Sequence, residues 1–334
     1  MLPVRTTPPA RRTEPYAELP LKISALRTLS ETKHGDRLPL PSKLARLYGE
    51  FRLRRRTRSQ VFSNFVTTLD GVVSLQVKGH EAGGDISGFS AEDRMVMGLL
   101  RSVADVVVVG AGTLEADRKH IWTAEDICPE LAGDYRRLRD VMQLPRTALN
   151  VVISASGALD LRRPVFASGE VDALIVTTPT GAKRLLKRKV PGSVQVRVIR
   201  RDAATISAAA ILEEVSRVHS TSQVLVEGGP RLLGVFYKER LLDEQFLTLA
   251  PQIAGRDSGD RRLSLVMGQS FAPRDPLWGN LIDVRQSAEL LFLRYQFRGG
   301  QRQLKLPAGG PAPLRGMPPV HGKLRRWREF SDRD

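Results

Sequence analysis

The sequence predicts an α/β protein built on a mainly parallel sheet. Three observations predict it. Six short apolar runs have the length and composition of buried strands, amphipathic helical patterns fall between them, and glycine turns close several of the runs. The strand candidates, in order, are "VFSNFV" (61–66), "DVVVVG" (105–110), "ALNVVIS" (148–154), "DALIVTT" (172–178), "VQVRVI" (194–199) and "QVLVE" (223–227). Helical patterns cover 90–104, 180–188, 207–219 and 229–240. The first opens on a capping box, Ser90-Ala-Glu-Asp93, and continues with Met95, Val96, Leu99, Leu100 and Val103 at helical spacing. After the last helix, "DEQFLTLAP" (243–251) and "ELLFLRYQF" (289–297) follow with no clear helix between them. They fit antiparallel strands added at the C-terminal edge of the sheet. A short amphipathic piece, "SKLARLYGEF" (42–51), is expected to pack on the body as a helix.

The charge is unevenly spread. The formal net charge is +16, yet residues 1–58 hold 14 Lys/Arg against 5 Asp/Glu, and residues 299–334 hold 8 against 3. The remaining body is close to neutral, so the basicity belongs to the ends. Those ends are also proline-rich, a composition that favours disorder over a packed core. The expected organisation is therefore a basic extension over 1–40, one folded domain over 41–298, and a basic tail over 299–334. "RLRRRTR" (52–58) and "KLRRWR" (323–328) offer RNA or an acidic lipid surface a charged contact, but a solvated tail explains them as well. The neutral body shows no aromatic platform for single strands, so nucleic acid is not the expected partner. Cys128 is the single cysteine, and the five histidines form no metal-ligand pair at helical spacing, so neither a disulfide framework nor a metal site is expected. No stretch approaches the ~18 apolar residues of a membrane span, and the N-terminus lacks an apolar signal core. A cytoplasmic protein is the expectation.

Four stretches can carry chemistry. "VVVVGAGTLEAD" (106–117) and "VLVEGGPRLLG" (224–234) place glycines after a strand and before a helix, where backbone N–H groups and the helix dipole favour an anion. The first lacks the third glycine of the dinucleotide fingerprint, and neither has a P-loop lysine. In "NVVISASGALD" (150–160), Ser154 and Ser156 follow a strand, with Arg162 and Arg163 nearby; hydroxyls and guanidinium groups suit a phosphate monoester. "SNFVTTLDGVVS" (63–74) brings Asn64, Thr68 and Asp70 to the carboxyl end of a strand, the side on which open α/β sheets bind ligands. Taken singly, each is equally an ordinary turn.

As a set, in this order and spacing, these stretches resemble the riboflavin-biosynthesis pyrimidine reductases, the reductase domain of the bifunctional deaminase/reductase. The resemblance runs from about residue 59 to 298 and rests on Asn64–Gly71, the helix before Asp105, Gly110-Ala-Gly-Thr113 with Asp117, and Glu227-Gly-Gly-Pro230. It implies a dihydrofolate-reductase-like fold, use of NADPH, and reduction of the ribosyl group of 5-amino-6-(5-phosphoribosylamino)uracil to the ribityl form. It also implies a cytoplasmic homodimer. One cysteine cannot supply the deaminase's zinc site, so a reductase alone is expected.

Carried over by position, the resemblance sets Val66, Gly110, Ala111, Gly112, Thr113 and Asp117 beside the nicotinamide dinucleotide, and Ser154 at the adenosine phosphate. Gly228, Gly229, Pro230, Arg231, Leu232 and Leu233 would wrap the pyrophosphate. Asn64, Arg101 and Glu227 would face the pyrimidine, with Asn64 standing where many bifunctional members have lysine. Glu227 and Asp117 are the titratable groups best placed in sequence to supply the proton that accompanies hydride transfer, with bound water as the alternative.

The departures lie just after the first glycine turn. Family members often continue with "DDP" and then an arginine for the substrate phosphate, whereas this chain reads Asp117-Arg118-Lys119-His120-Ile121-Trp122. The insertion-like segment 120–145 that follows is expected to act as a lid. Two other readings stand beside this one: the same fold and cofactor with a pterin or folate substrate, and a non-catalytic protein that uses its basic tails.

Overall fold

The computed structural model describes residues 22–54, 59–219, 223–259 and 262–297. The basic stretches 55–58 and 323–328, and the ends 1–21 and 298–334, lie outside the described residues. One ten-stranded sheet organises the rest. In chain order its strands and the main helices are β1 (Arg27–Glu31), α1 (Ser42–Tyr48), β2 (Gln60–Thr67), α2 (Ala91–Val103), β3 (Val106–Gly110), α3 (Ala111–Ala116), α4 (Ala132–Val141), β4 (Leu149–Ser154), β5 (Ala173–Thr177), α5 (Pro179–Leu185), β6 (Val194–Val198), α6 (Ala208–Ser216), β7 (Gln223–Gly228), α7 (Pro230–Lys238), β8 (Glu244–Leu249), β9 (Asn280–Ser287) and β10 (Leu290–Gln296). Across the sheet the order is β1-β9-β10-β8-β2-β7-β3-β4-β5-β6. The seven strands from β8 to β6 are parallel; β10, β9 and β1 complete the sheet antiparallel.

The period of two along each strand explains why the sheet is covered on both faces. Phe62, Val107, Val109, Val152 and Leu225 join one core with α1, α2 and α4. Val61, Val106, Val108, Val151, Val224 and Val226 join the other with α6 and α7. Every strand and helix read from the apolar pattern is present. One detail of the flank differs from expectation: β8 is no edge strand but lies inside the sheet, parallel to β2 and antiparallel to β10. Between β8 and β10 the chain supplies β9, whose buried Asp283 and Arg285 interrupt any apolar signal.

The composition assigned residues 1–40 to an extension outside the fold, and residues 22–40 depart from that. β1 pairs with β9, and Arg285 anchors this region through Thr28 Oγ1 (3.0 Å) and the Glu50 carbonyl (2.9 Å). Backbone pairing needs no apolar side chains, and every residue of β1 is exposed.

The capping box is half made. Ser90 Oγ accepts from the Asp93 N–H at 3.2 Å, but the Asp93 side chain turns inward rather than back to Ser90. Nor is 120–145 a lid. It forms a helical turn at Ala124–Ile127, a 3-10 turn and α4, and it buries Trp122, Leu131, Tyr135 and Leu138. Tyr135 packs where Gly98 leaves room: a Cβ there would stand 2.5 Å from the tyrosine ring. Arg139 donates to the carbonyls of Arg101, Ser102 and Ala104 at 2.9–3.2 Å, so it caps the C-terminal end of α2.

Candidate active site

The carboxyl ends of β3 and β7 meet where the two glycine turns lie. An ideal Cβ on Gly110 would be 3.5 Å from the Gly229 nitrogen, and one on Gly228 would be 2.7 Å from Thr113 Oγ1. Gly228 has φ +136°, a conformation open to glycine, and its peptide to Gly229 is cis. Pro230 opens α7, where a missing N–H costs no helical bond, and Leu233 N–H closes the first turn onto the Gly229 carbonyl at 3.0 Å. The result is a floor of bare backbone where the two strand ends meet. Ala111 and Thr113 flank it half-buried, and Gly112 and Arg231 are exposed. Leu232 and Leu233 point into the core, so only their backbone is available. Asp117 ends α3 half-exposed, its N–H bonded to the Thr113 carbonyl at 3.1 Å.

Beside this floor the wall is ionic. Arg101 on α2 grips Glu227 at the end of β7: Nε lies 3.1 and 3.0 Å from the two carboxylate oxygens and Nη2 lies 2.7 Å from Oε2. The side chains are 1% and 3% exposed. Arg101 Nη1 also donates to the Thr123 carbonyl at 3.0 Å. The two residues thus stand together as expected, but turned toward each other rather than open to a ligand. Asn64, 7% exposed, lines a cavity of ≈ 10 Å³ with Val96, Thr248 and Arg294, space for about one water. Val66 is half-buried at the same strand end, and a Cβ on Gly83 would approach its Cγ1 to 2.9 Å.

Asp70 is neither a lone turn residue nor a ligand-facing group. It accepts from Thr68 Oγ1 and from the N–H groups of Ala254 and Gly255, at 2.6, 3.1 and 2.9 Å. These bonds, the Thr68 hydroxyl foremost, lower its carboxyl to about 2.

Ser154, assigned to a phosphate, is 3% exposed at the end of β4. The open polar groups of that turn are its neighbours: Ser156 is exposed, Arg184 Nη1 donates to the Ser156 carbonyl at 3.2 Å, and Arg162 binds Asp160 at the surface. Arg163 reaches Glu115 on α3 at 3.0 Å and so ties this turn to the glycine junction.

Three polar groups escaped the sequence reading. Arg184 sits in a helix with nothing to mark it. Asp93 looks like a cap, yet burial raises its carboxyl to about 6, against the lowering bonds from Thr248 and Ser87. His120 pairs with Asp126 at 2.9 Å. The one available hint was a histidine followed by two buried apolar residues, in a segment that departs from the family. Among the described residues no cluster of His, Cys, Asp and Glu is arranged to hold a metal, and no helix is long and apolar enough to cross a membrane.

The family model of the RibD C-terminal domain matches residues 59–271, which hold the whole glycine junction and its ionic wall. A pyrimidine reductase-like protein from Corynebacterium diphtheriae is similar in structure, at 19% identity and a TM-score of 0.57, over 77% of this chain and 99% of that one. RibD from Acinetobacter baumannii matches at 19% identity and 0.54, over 72% and 58%. The deaminase/5-amino-6-(5-phosphoribosylamino)uracil reductase of Thermotoga maritima matches at 18% and 0.51, over 72% and 57%. This chain thus spans little more than half of the latter two. At such identities the likeness speaks for the fold. No curated protein sequence matches the chain significantly. With its glycine junction inside the matched region, the chain belongs to the RibD C-terminal domain family, the riboflavin-biosynthesis pyrimidine reductases.

Proposed function

We propose that this protein reduces the ribosyl group of 5-amino-6-(5-phosphoribosylamino)uracil to the ribityl form with NADPH. The observation that carries the reading is the side-chain-free junction of Gly110, Gly228 and Gly229 beneath Thr113, within the family-matched region. The residues present fit a dinucleotide: Gly112 is exposed with nothing within 4 Å of where its Cβ would stand, the Gly110–Gly229 approach is bare backbone, and α7 offers first-turn N–H groups to a pyrophosphate. Gly110, Ala111, Gly112, Thr113 and Gly228–Leu233 would hold it there through backbone. Asp117 and Val66 would flank the nicotinamide, and the Ser154 turn, with Ser156 and Arg184, would take the adenosine phosphate. Bound in this way, the cofactor supplies a hydride. The protein's part is position and a proton: Arg101 holds Glu227 rigidly at the strand end, and the buried Ile121, Trp122 and Ala124 limit water on that side. Cytoplasmic location and a homodimer belong to the same reading.

A second reading keeps fold and cofactor but changes the substrate to a pterin or dihydrofolate. What favours it is the substrate side: Asn64 is nearly buried and the Arg101–Glu227 pair is closed on itself. Two measurements test these readings. NADPH and NADH binding by fluorescence should show NADPH preference, reduced in Ser154→Ala and more strongly in Arg184→Ala; equal affinity for the two cofactors would remove the phosphate role from this turn. Turnover of the phosphoribosylaminouracil is then expected, and activity on dihydrofolate alone would replace the first reading by the second.

A further inference from the structure

Reduction at the ribosyl carbon consumes a proton, and Glu227 is poorly placed to give it, because Arg101 engages both its oxygens. The segment after α3 sets a different group beside Asp117. His120 Nδ1 lies 2.9 Å from Asp126 Oδ2 and 3.8 Å from Asp117 Oδ2, with its side chain 12% exposed. The ring stands edge-on to Trp122, 5.1 Å between centroids at 89°, which fixes its plane. Asp126 is fixed in turn. Its N–H donates to Thr123 Oγ1 at 3.1 Å and its Oδ2 accepts from the Ile121 N–H at 3.3 Å. Burial pushes the Asp126 carboxyl up, but the bond and charge of His120, the Ile121 amide and nearby Arg101 together hold it below the usual carboxylate range.

These contacts close a polar circuit. Glu227 binds Arg101, and Arg101 binds the Thr123 carbonyl. The Thr123 hydroxyl caps the turn that carries Asp126, which holds His120. His120 faces Asp117, and the Asp117 amide returns to Thr113, whose hydroxyl lies over Gly228. Gly228 follows Glu227 in the chain, so the circuit ends where it began. His120 is the one imidazole in it, with Nδ1 committed to a carboxylate and Nε2 on the other side of the ring.

We infer that His120, oriented by Asp126, is the catalytic acid of this reductase. The inference rests on the functional reading above. Nε2 of the imidazolium donates its proton to the ribosyl ring oxygen as the C1′–O bond breaks and the C1′=N bond forms. C1′ then accepts hydride, with NADPH as the class of donor, and the imidazole is reprotonated from solvent. The sum is ribosylamine, NADPH and one proton giving ribitylamine and NADP⁺. The charged groups around His120 are Asp126 on its helical turn, Asp117 at the end of α3, and Arg101 on α2 beyond Asp126.

The test compares wild type, His120→Gln and Asp126→Asn. His120→Gln is expected to lower kcat about 10²-fold or more, with NADPH affinity by fluorescence unchanged within twofold. The alkaline fall of the wild-type kcat/KM profile should disappear. Asp126→Asn should lower kcat about tenfold and displace that limb, since the imidazole loses its orienting carboxylate. A readout independent of turnover is the His120 ring ¹⁵N signal of the wild-type enzyme, which should shift at Nε2 when the ribitylamino product binds. Turnover and pH profile unchanged in His120→Gln, or a product-saturated enzyme with an unmoved Nε2 signal, overturns the assignment while the functional reading stands. A wild type that binds NADPH but leaves the phosphoribosylaminouracil untouched overturns the reading and this assignment with it.

Discussion

Two arginine–glutamate pairs of similar chemistry lie in different parts of the sheet. Arg101–Glu227 joins a helix to the end of a parallel strand beside the glycine junction. Arg294–Glu244 lies in the antiparallel flank and joins β10 to β8, with Gln60 of β2 donating to the second oxygen of Glu244 at 2.9 Å. Both are almost fully buried. The flank pair is enclosed by aromatic rings, with the Arg294 guanidinium 4.7 Å from the Phe246 centroid and 5.3 Å from that of Phe51. The site pair instead spends its last donor on a loop carbonyl, Thr123. One pair therefore holds strand register, and the other holds a wall of the site to the loop that carries His120. Burial alone does not separate a structural ion pair from a functional one; what the remaining hydrogen bonds reach does.

Breaking the flank pair should have the largest effect. Glu244→Ala strands a buried guanidinium and is expected to cost about 3–5 kcal/mol in urea denaturation, with NADPH affinity of the folded fraction unchanged. A loss below about 1 kcal/mol would mean that the flank relaxes around Arg294. The comparison sharpens with Arg→Lys changes at both pairs, which keep the charge and lose the fork. Arg294→Lys should reduce stability by about 1–2 kcal/mol and leave kcat/KM alone, whereas Arg101→Lys should carry a similar stability cost and also lower kcat/KM about tenfold or more. Equal kinetics in the two variants would erase the distinction drawn above.

The last effect appears only as pH changes and concerns Asp93, the acid buried near Glu227. Its folded carboxyl sits at about 6, raised chiefly by burial, so between pH ~4 and ~6 the folded chain keeps a proton that the unfolded chain releases. Stability should fall as pH rises through that window, by up to roughly 3 kcal/mol for a shift of this size. Asp93→Asn keeps the bonding shape without the ionisation. It should flatten the profile and gain on wild type above pH ~6; a profile unchanged by the substitution would remove the effect from Asp93.

The same contrast explains what was legible in the sequence. The parallel half has apolar strands, so "DVVVVG", "NVVIS" and "QVLVE" announce themselves, and their glycine turns mark the floor of the junction. The flank is written in charges. Asp283 and Arg285 break the pattern of β9, and β1 is held by backbone pairing with wholly exposed side chains, so neither strand shows in hydropathy. At the site, the resemblance named Arg101 and Glu227 but not their closure on each other, which joins residues 126 positions apart. The Ser154 turn was half legible for a related reason: the motif places Ser154 at the strand end, and only packing decides that Ser156 is the exposed hydroxyl. His120 and Asp126 are separated by a turn whose shape depends on Thr123, and local propensity says nothing of the guanidinium that pins that residue.

Arg139 ties the 120–145 segment to the end of the helix that carries Arg101. The segment is for that reason not a removable part. Replacing it by a shorter connection would uncap α2 and unseat the guanidinium at the strand end in one step. New substrates are reachable by single replacements just before the segment, at positions 118 and 119, which face solvent. Exchange of the segment as a whole is closed, and its chemistry and its folding are inherited together.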